Sequence, residues 1–194
     1  LRRQRQMCIR DRANTVRPDI SYPTGVLSRF ASSPTDLHMQ IGMGVLRYLV
    51  GAKDVALVWK KGASSSTVVG FCDSDFAGAQ AIWKSTSGGA FLAGTAAVSW
   101  ISKLQQLAAL STVEAEYIAM CLGVQEALWL DKLASDFSYE LGAVRLYTDN
   151  QGALSKITGN SSSMRTKHIG VRYQRIRDEM QLGRIQPILS LIHI

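Results

Sequence analysis

Residues 70–78 read GFCDSDFAG and directly follow Thr67-Val68-Val69, so two aspartates end a run that is otherwise typical of a buried strand. Asp73 and Asp75 lie on the same side of that strand, because side chains alternate with a period of two. Asp75 precedes Phe76-Ala77-Gly78 and is explained as a turn residue with its carboxylate in water. Asp73 lies deeper, and burying an unpaired carboxylate is costly, so a cation or another partner is expected beside it.

The composition indicates a globular chain with a mildly basic body. At 194 residues and 46% hydrophobic, it can bury a core and has room for one ordinary domain with extra elements. No apolar run approaches the about 20 residues that a membrane-spanning helix needs. The formal charge is +7, but residues 1–12 hold five arginines and one aspartate and contribute +4 of it, which leaves +3. This balance is compatible with a nucleic-acid partner without establishing one. The three cysteines lack metal-ligand spacing, which favours unpaired, reduced thiols.

Start and stop signals predict an α/β chain with a mixed sheet. Ser33 and Pro34 begin a predicted helix over residues 34–50. Runs of β-forming residues predict strands at 55–59 and 68–73 and a hairpin over 86–104, with Ser85, Thr86 and Ser87 shaping a turn. The elements that follow are a helix at 111–133, a strand at 143–149, and helices at 150–156 and 166–180. This βββαβα order with a further helix predicts layered α/β architecture.

Further acids lie where these elements begin or end. The helix that starts LSTVEAEYIAM has an S-x-x-E capping box of Ser111 and Glu114, which gives Glu114 a structural role. Glu116 lies about 200° further round the helix, near the packed side, either as a half-exposed edge residue or as a site residue. Asp149 ends the strand AVRLYTD just before Asn150. It is either an N-cap or a ligand-binding residue at the carboxyl end of a strand, and the sequence leaves both open.

A meeting of Asp73, Glu116 and Asp149 would require bound cations. Each pair of ionised carboxylates about 4 Å apart repels by roughly 4 kcal/mol at an effective dielectric constant near 20. Carboxylates without histidine or cysteine at ligand spacing favour a hard cation such as Mg²⁺ or Mn²⁺. Two such ions about 4 Å apart would activate a water and stabilise the leaving oxygen of a phosphodiester. The chemistry expected of this cluster is therefore hydrolysis of a nucleic-acid backbone.

Six segments, in this order, carry a resemblance to a known family: GFCDSDFAG, WKSTSGGAFLAGTAAVSW, QQLAALSTVEAEYIAM, EALWLDKL, LYTDNQGAL and RTKHIGVRY. They resemble the ribonuclease H (RNase H) domain of Ty1/copia-type retrotransposon Pol polyproteins, and the resemblance covers about residues 17–186. The stretch from RPDISY to VLRYLVGAKD resembles the tail of the preceding reverse transcriptase region. No polymerase YxDD motif is present in the sequence.

The resemblance implies an RNase H-like fold and cleavage of the RNA strand of an RNA–DNA hybrid with two Mg²⁺ or Mn²⁺ ions. By motif position, Asp73, Glu116 and Asp149 match the catalytic, metal-binding acids. Weaker candidates for substrate contact are Asn150 and Gln151, which could reach ribose hydroxyls, and the basic group Arg165, Lys167 and His168, which is either a phosphate contact or a solvated helix start. The expected partner is the reverse transcriptase region of the same polyprotein, without a membrane, in a cytoplasmic virus-like particle.

The sequence also departs from the family. Similar domains continue past the strand near residue 185 into a helix with a fourth metal-site aspartate, whereas this chain reads PILSLIHI. Gly170 and Gln174 stand where similar sequences have aspartate and histidine. The alternative is therefore a catalytically inactive, hybrid-binding remnant of a decayed polyprotein, while the S-T-x-E-A-E-Y context disfavours a DDE-type integrase. The expected divisions are non-native or disordered flanks at 1–16 and 187–194, a reverse transcriptase or connection tail at 17–62, and an RNase H-like domain at 63–186 whose C-terminal helix is missing.

Overall fold

A computed structural model describes residues 13–61, 67–79, 82–159 and 167–190, with the side chains of 167–173 left undescribed. The chain divides into two compact units, Leu1–Val58 and Trp59–Ile194. In the described part, no helix is both long and apolar enough to cross a membrane.

The first unit is helical. A 3-10 turn at Pro18–Ile20 precedes helices α1 (Ser21–Arg29) and α2 (Asp36–Gly51), and its small core joins Ala13, Ile20 and Val45. Helix α2 begins later than predicted, because Thr35, and not Ser33, is its N-cap. The Thr35 hydroxyl and backbone N–H lie 2.7 and 3.1 Å from Nδ1 of His38, so the two residues form the cap together.

The predicted strand at residues 55–59 is wrong. This segment has no regular secondary structure, and Val55, Val58 and Trp59 are 51%, 59% and 56% exposed. Its β-branched and aromatic residues have the right propensity. A strand also needs a neighbour to pair with its backbone groups, and in the described sheet no strand pairs with this segment.

The second unit is built on a five-stranded mixed sheet in the order β3-β2-β1-β4-β5. Strands β1 (Val68–Ala79), β2 (Lys84–Ala93) and β3 (Ala96–Leu104) are antiparallel, as the predicted hairpin requires. Strand β4 (Val144–Thr148) pairs in parallel with β1, and β5 (Ile185–Leu189) pairs in parallel with β4. Strand β5 includes residues 187–189, which the sequence placed in a terminal tail, and they pair with Leu146, Tyr147 and Thr148 of β4.

Three helices accompany the sheet: α3 (Thr112–Asp136), α4 (Gln151–Thr158) and α5 (Lys167–Gln181). The long helix α3 buries a row that includes Met120, Gly123 and Ala127 in one core with Cys72 and Phe91 of the sheet. Gly123 is required by this contact, since a Cβ there would clash with Sγ of Cys72. This mixed sheet with flanking helices is the architecture that the sequence predicted.

The S-T-S segment of β2 is not the turn that the sequence predicted. Ser85, Thr86 and Ser87 lie within the strand and are 0%, 5% and 1% exposed. Short hydroxyl residues are common in turns, but here their hydroxyls are used inside the domain, for example where Ser85 Oγ accepts a hydrogen bond from Ala77 N at 3.1 Å. Burial of the segment follows from the central place of β2 between β1 and β3.

Candidate metal centre

The fold brings Asp73, Glu116 and Asp149 together. Each offers a carboxylate oxygen, and these oxygens all lie within 4.8 Å of one another. Asp73 is on β1, Glu116 is near the start of α3, and Asp149 directly follows β4. Parallel pairing of β1 with β4 places Phe71 beside Tyr147, so the same register two residues later puts Asp73 beside Asp149. The meeting of these strand ends explains how residues 76 positions apart share one site.

The start of helix α4 decides between the two interpretations of Asp149. Asn150 is the N-cap, and its Oδ1 accepts a hydrogen bond from Ala153 N at 2.9 Å. The capping role is therefore filled by the neighbouring residue. Asp149 is exposed, and its carboxylate contributes to the cluster instead.

Glu116 is the buried member of the cluster, with only 7% of its surface exposed. It lies on the same face of α3 as Met120, Gly123 and Ala127, which pack on the sheet, so the edge position weighed from the sequence is excluded. Its Oε1 accepts hydrogen bonds from Ser74 Oγ at 2.6 Å and Ser74 N at 3.1 Å. Its Oε2 is buried, and among the described residues it has no hydrogen-bond partner.

Burial and the neighbouring carboxylates disfavour the ionised form of Glu116. Its pKa is raised from 4.5 to about 7, mainly by burial and then by the neighbouring carboxylates of Asp73 and Asp149, while hydrogen bonds from Ser74 oppose the rise. A divalent cation among the three carboxylates would favour the ionised form of all of them. An oxygen-only donor set with one unpartnered buried oxygen fits a hard cation such as Mg²⁺ or Mn²⁺.

Ser74 is a site residue that the sequence reasoning missed. Its backbone N–H also donates to Asp73 Oδ1 at 2.7 Å, so Ser74 contacts two of the three acids. Strand alternation was the available signal, because it places Ser74 on the same side as Cys72, which faces Gly123 of α3. A hydroxyl residue between two aspartates is also typical of a turn, so the local sequence does not distinguish the two roles.

The other candidate residues take varied positions. Asp75 is exposed, as expected of a turn acid, but it belongs to β1, where the register with β2 breaks between Asp75 and Ala79. Glu114 has a structural role at the helix start, as expected: its backbone N–H donates to Ser111 Oγ at 3.2 Å. Its Oε2 accepts from Leu110 N at 2.8 Å, one residue before the N-cap, so the second bond of the predicted capping box has a different donor.

The weaker substrate-contact candidates are only partly described. Gln151 is the exposed first residue of α4, next to Asn150. Arg165 lies outside the described residues. Lys167 and His168 begin α5, but their side chains are not described, so their expected contacts with phosphates stay predictions. Gln174, further along α5, donates to Asp178 Oδ1 at 2.8 Å on the exposed helix surface.

Comparison with known proteins gives relatives among transposon polyproteins. The retrovirus-related Pol polyprotein from transposon TNT 1-94 of Nicotiana tabacum is 38% identical over 162 residues, which is 84% of this chain and 12% of that protein. Secreted RxLR effector protein 161 of Plasmopara viticola is 43% identical over 114 residues, which is 59% of this chain and 80% of that protein. No protein-family model matches the chain. The chain thus spans about an eighth of the tobacco polyprotein's length.

Solved structures give a likeness of fold. A foamy viral protease–reverse transcriptase dRH in complex with double-stranded DNA aligns with 97% of this chain and 31% of its own, at a TM-score of 0.54 and 12% identity. An RNase H1 isolated from compost aligns with 65% of this chain and 85% of its own, at a TM-score of 0.48 and 11% identity. The second unit has the mixed five-stranded sheet and flanking helices described above. By its sequence relatives, the chain belongs to the retrovirus-related Pol polyproteins of Ty1/copia-type transposons.

Proposed function

We propose that the second unit is a retrotransposon RNase H that hydrolyses the RNA strand of RNA–DNA hybrids with two divalent metal ions during reverse transcription. The observation that carries the proposal is the cluster of Asp73, Glu116 and Asp149, in which Glu116 Oε2 is buried without a hydrogen-bond partner among the described residues. Three carboxylates held this closely repel one another unless cations lie between them. The family to which the chain belongs supplies the substrate class.

Asp73, Glu116 and Asp149 would hold the metal. When bound, the two ions supply an acidified water and charge stabilisation at the leaving oxygen of the phosphodiester. Asp73 and Asp149 are exposed, so that edge of the sheet is open to a nucleic-acid strand. Ser74 fixes Oε1 of Glu116, while Oε2 has no hydrogen-bond partner among the described residues.

Choice of RNA over DNA requires contact with the ribose 2′-hydroxyl. Asn150 and Gln151 directly follow Asp149, which makes them the proposed contacts. The capping hydrogen bond uses Oδ1 of Asn150, and the amide N–H groups of the same side chain are the donors that a ribose hydroxyl would accept from. Gln151 is exposed beside it.

The remaining expectations extend this proposal to the rest of the chain. Residues 63–186 are proposed as the RNase H-like domain and residues 17–62 as the tail of the reverse transcriptase region, with that region as the partner. The compact unit that begins at Trp59 supports a division near this point. The proposed location is a cytoplasmic virus-like particle, which follows from the family alone.

The test is cleavage of a 5′-labelled RNA annealed to DNA, with Mg²⁺ and separately with Mn²⁺. We expect the chain to cut the hybrid, and Asp73→Asn and Asp149→Asn to abolish cutting. Asp136→Asn is the matched control, because it removes an exposed carboxylate at the far end of α3 and should change nothing.

Two outcomes would contradict the proposal. Hybrid binding without cleavage in either metal, from protein shown to be folded by circular dichroism, would support the inactive, hybrid-binding remnant. Strand transfer with DNA alone would instead support an integrase.

A further inference from the structure

A buried polar layer lies beneath the metal centre and has no role in the reaction as proposed. It consists of Ser85, Thr86 and Ser87 on β2 together with Gln105, which directly follows β3 and is 3% exposed. Buried polar side chains weaken a core unless their hydrogen bonds are made, so each bond in this layer is a structural constraint.

Gln105 connects three elements. Its backbone N–H donates to Ser85 O at 2.9 Å, which continues the pairing of β2 with β3. Its side-chain Nε2 donates to Ser87 Oγ at 3.0 Å and to Ala115 O at 3.0 Å. Ala115 is in the first turn of α3 and immediately precedes Glu116. One amide group therefore joins β2 to the peptide unit that carries the buried metal-site glutamate.

The position of Glu116 depends on where this first turn lies. Glu116 reaches Ser74 of β1 across the gap between helix and sheet, and its hydrogen bond with Ser74 Oγ is 2.6 Å long. Apolar packing further along α3 fixes the height of the helix over the sheet, but it tolerates small shifts because it is not directional. A hydrogen bond from the sheet to Ala115 O is directional and acts one residue from Glu116.

We propose that Gln105 is a positioning residue for the metal centre: it holds the first turn of α3 against β2 so that Glu116 meets Asp73 and Asp149. The proposal rests on the proposed function, because it assumes that these carboxylates bind a divalent cation. It also gives the S-T-S segment a role, since Ser87 is the sheet anchor of the connection.

The test measures Mn²⁺ binding to the full chain in the absence of nucleic acid. Binding is detected as a decrease in the electron paramagnetic resonance signal of free Mn²⁺. Gln105→Met keeps the length of the side chain and removes both side-chain hydrogen bonds. Groups that orient metal ligands typically change metal affinity by about 10- to 100-fold when they are lost. We therefore expect the Kd for Mn²⁺ to rise about tenfold or more.

A control separates positioning from general loss of stability. Val124→Ala removes buried contacts from α3 two turns beyond Glu116 and should lower stability without changing the Kd. Ser87→Ala removes only the sheet anchor and is the second variant if Gln105→Met does not fold. It should raise the Kd several-fold, and in the Gln105→Met background it should add nothing.

The outcomes distinguish this inference from the proposed function. If the unsubstituted chain and Glu116→Gln bind Mn²⁺ with the same affinity, the unsubstituted chain takes up no Mn²⁺ at the Glu116 site. That result overturns both the inference and the proposed function. Unchanged Mn²⁺ affinity in Gln105→Met, or in Ser87→Ala where only that variant folds, overturns the role of Gln105 alone and leaves the metal site standing.

Discussion

Replacing Glu116 by glutamine should stabilise the metal-free protein, and more so at high pH. In the folded chain the pKa of Glu116 is raised from 4.5 to about 7 by burial and by two neighbouring carboxylates. Below pH 4.5 the residue is protonated in both the folded and the unfolded state, and it does not change stability. Between pH 4.5 and 7 the unfolded state releases the proton while the folded state retains it, so stability falls as pH rises. Above pH 7 the loss is complete.

The size of the loss follows from the pKa values. One pKa unit corresponds to about 1.4 kcal/mol, so the ionised Glu116 costs about 3 kcal/mol of folding free energy at pH 8 and about 1 kcal/mol at pH 5. Glu116→Gln retains an oxygen that accepts from Ser74 but carries no charge to bury. The variant should therefore exceed the original chain in stability by these amounts without metal.

This difference is measured by urea unfolding in EDTA at pH 5 and pH 8, with tryptophan fluorescence as the signal. All four tryptophans, at positions 59, 83, 100 and 129, lie in the second unit, so the signal reports on the domain that contains Glu116. Mg²⁺ at about 1,000 times its Kd should reverse the order at both pH values, because it adds about 4.1 kcal/mol to a protein that binds it, which exceeds the cost of about 3 kcal/mol at pH 8. Asp136→Asn, at the exposed end of α3 about 30 Å along the helix, is the control.

An equal stability difference between Glu116→Gln and the original chain at pH 5 and pH 8 would refute the reasoning. It would mean that Glu116 ionises in the folded protein as easily as in the unfolded chain. If Mg²⁺ raises the free energy of unfolding of Glu116→Gln as much as that of the original chain, the assignment of Glu116 as a metal ligand is refuted.

Further predictions concern the groups around the site. Ser74→Ala should weaken Mg²⁺ binding and shift it to higher pH, because the hydrogen bonds from Ser74 lower the pKa of Glu116; a Mg²⁺ titration at several pH values tests this. Gly123→Ala should cost about 1–3 kcal/mol of stability through overpacking against Cys72, and Cys72→Ala in the same chain should recover part of it in urea unfolding. Asn150→Ala should cost about 1 kcal/mol by removing the cap of α4. If Asn150 also contacts the ribose, this variant should raise KM for the hybrid, whereas unchanged kinetics would confine Asn150 to capping.

Features that depend on neighbours in sequence were predictable from the sequence. The N-cap at Ser111 is satisfied within a few residues of chain, and the structure contains it, although the Glu114 side chain accepts from Leu110 N instead of Ser111 N. The β2–β3 hairpin and the strand ending at Asp149 were recognisable for the same reason, since alternation and turn residues are local signals. The expectation that Asp73 lies deeper than Asp75 is wrong, because both side chains are exposed; what distinguishes Asp73 is that its carboxylate lies near those of Glu116 and Asp149.

Features that depend on a partner distant in sequence were not predictable in this way. The segment at residues 55–59 has strand propensity but is not part of the described sheet, and the S-T-S segment has turn propensity but lies in an interior strand. The sequence left Asp149 open between an N-cap and a ligand-binding residue, and only the structure shows that the cap is Asn150.

The sequence by itself determined which acids are present and which elements carry them. The tertiary structure alone decided that Asp73, Glu116 and Asp149 meet. Their proximity depends on the parallel pairing of β1 with β4 and on the packing of α3 against the sheet. It also decided the burial of Glu116 and its contact with Ser74, 42 residues away. The physical reason is that charge repulsion, desolvation and hydrogen bonding depend on distances through space, and these distances exist only once the chain has folded.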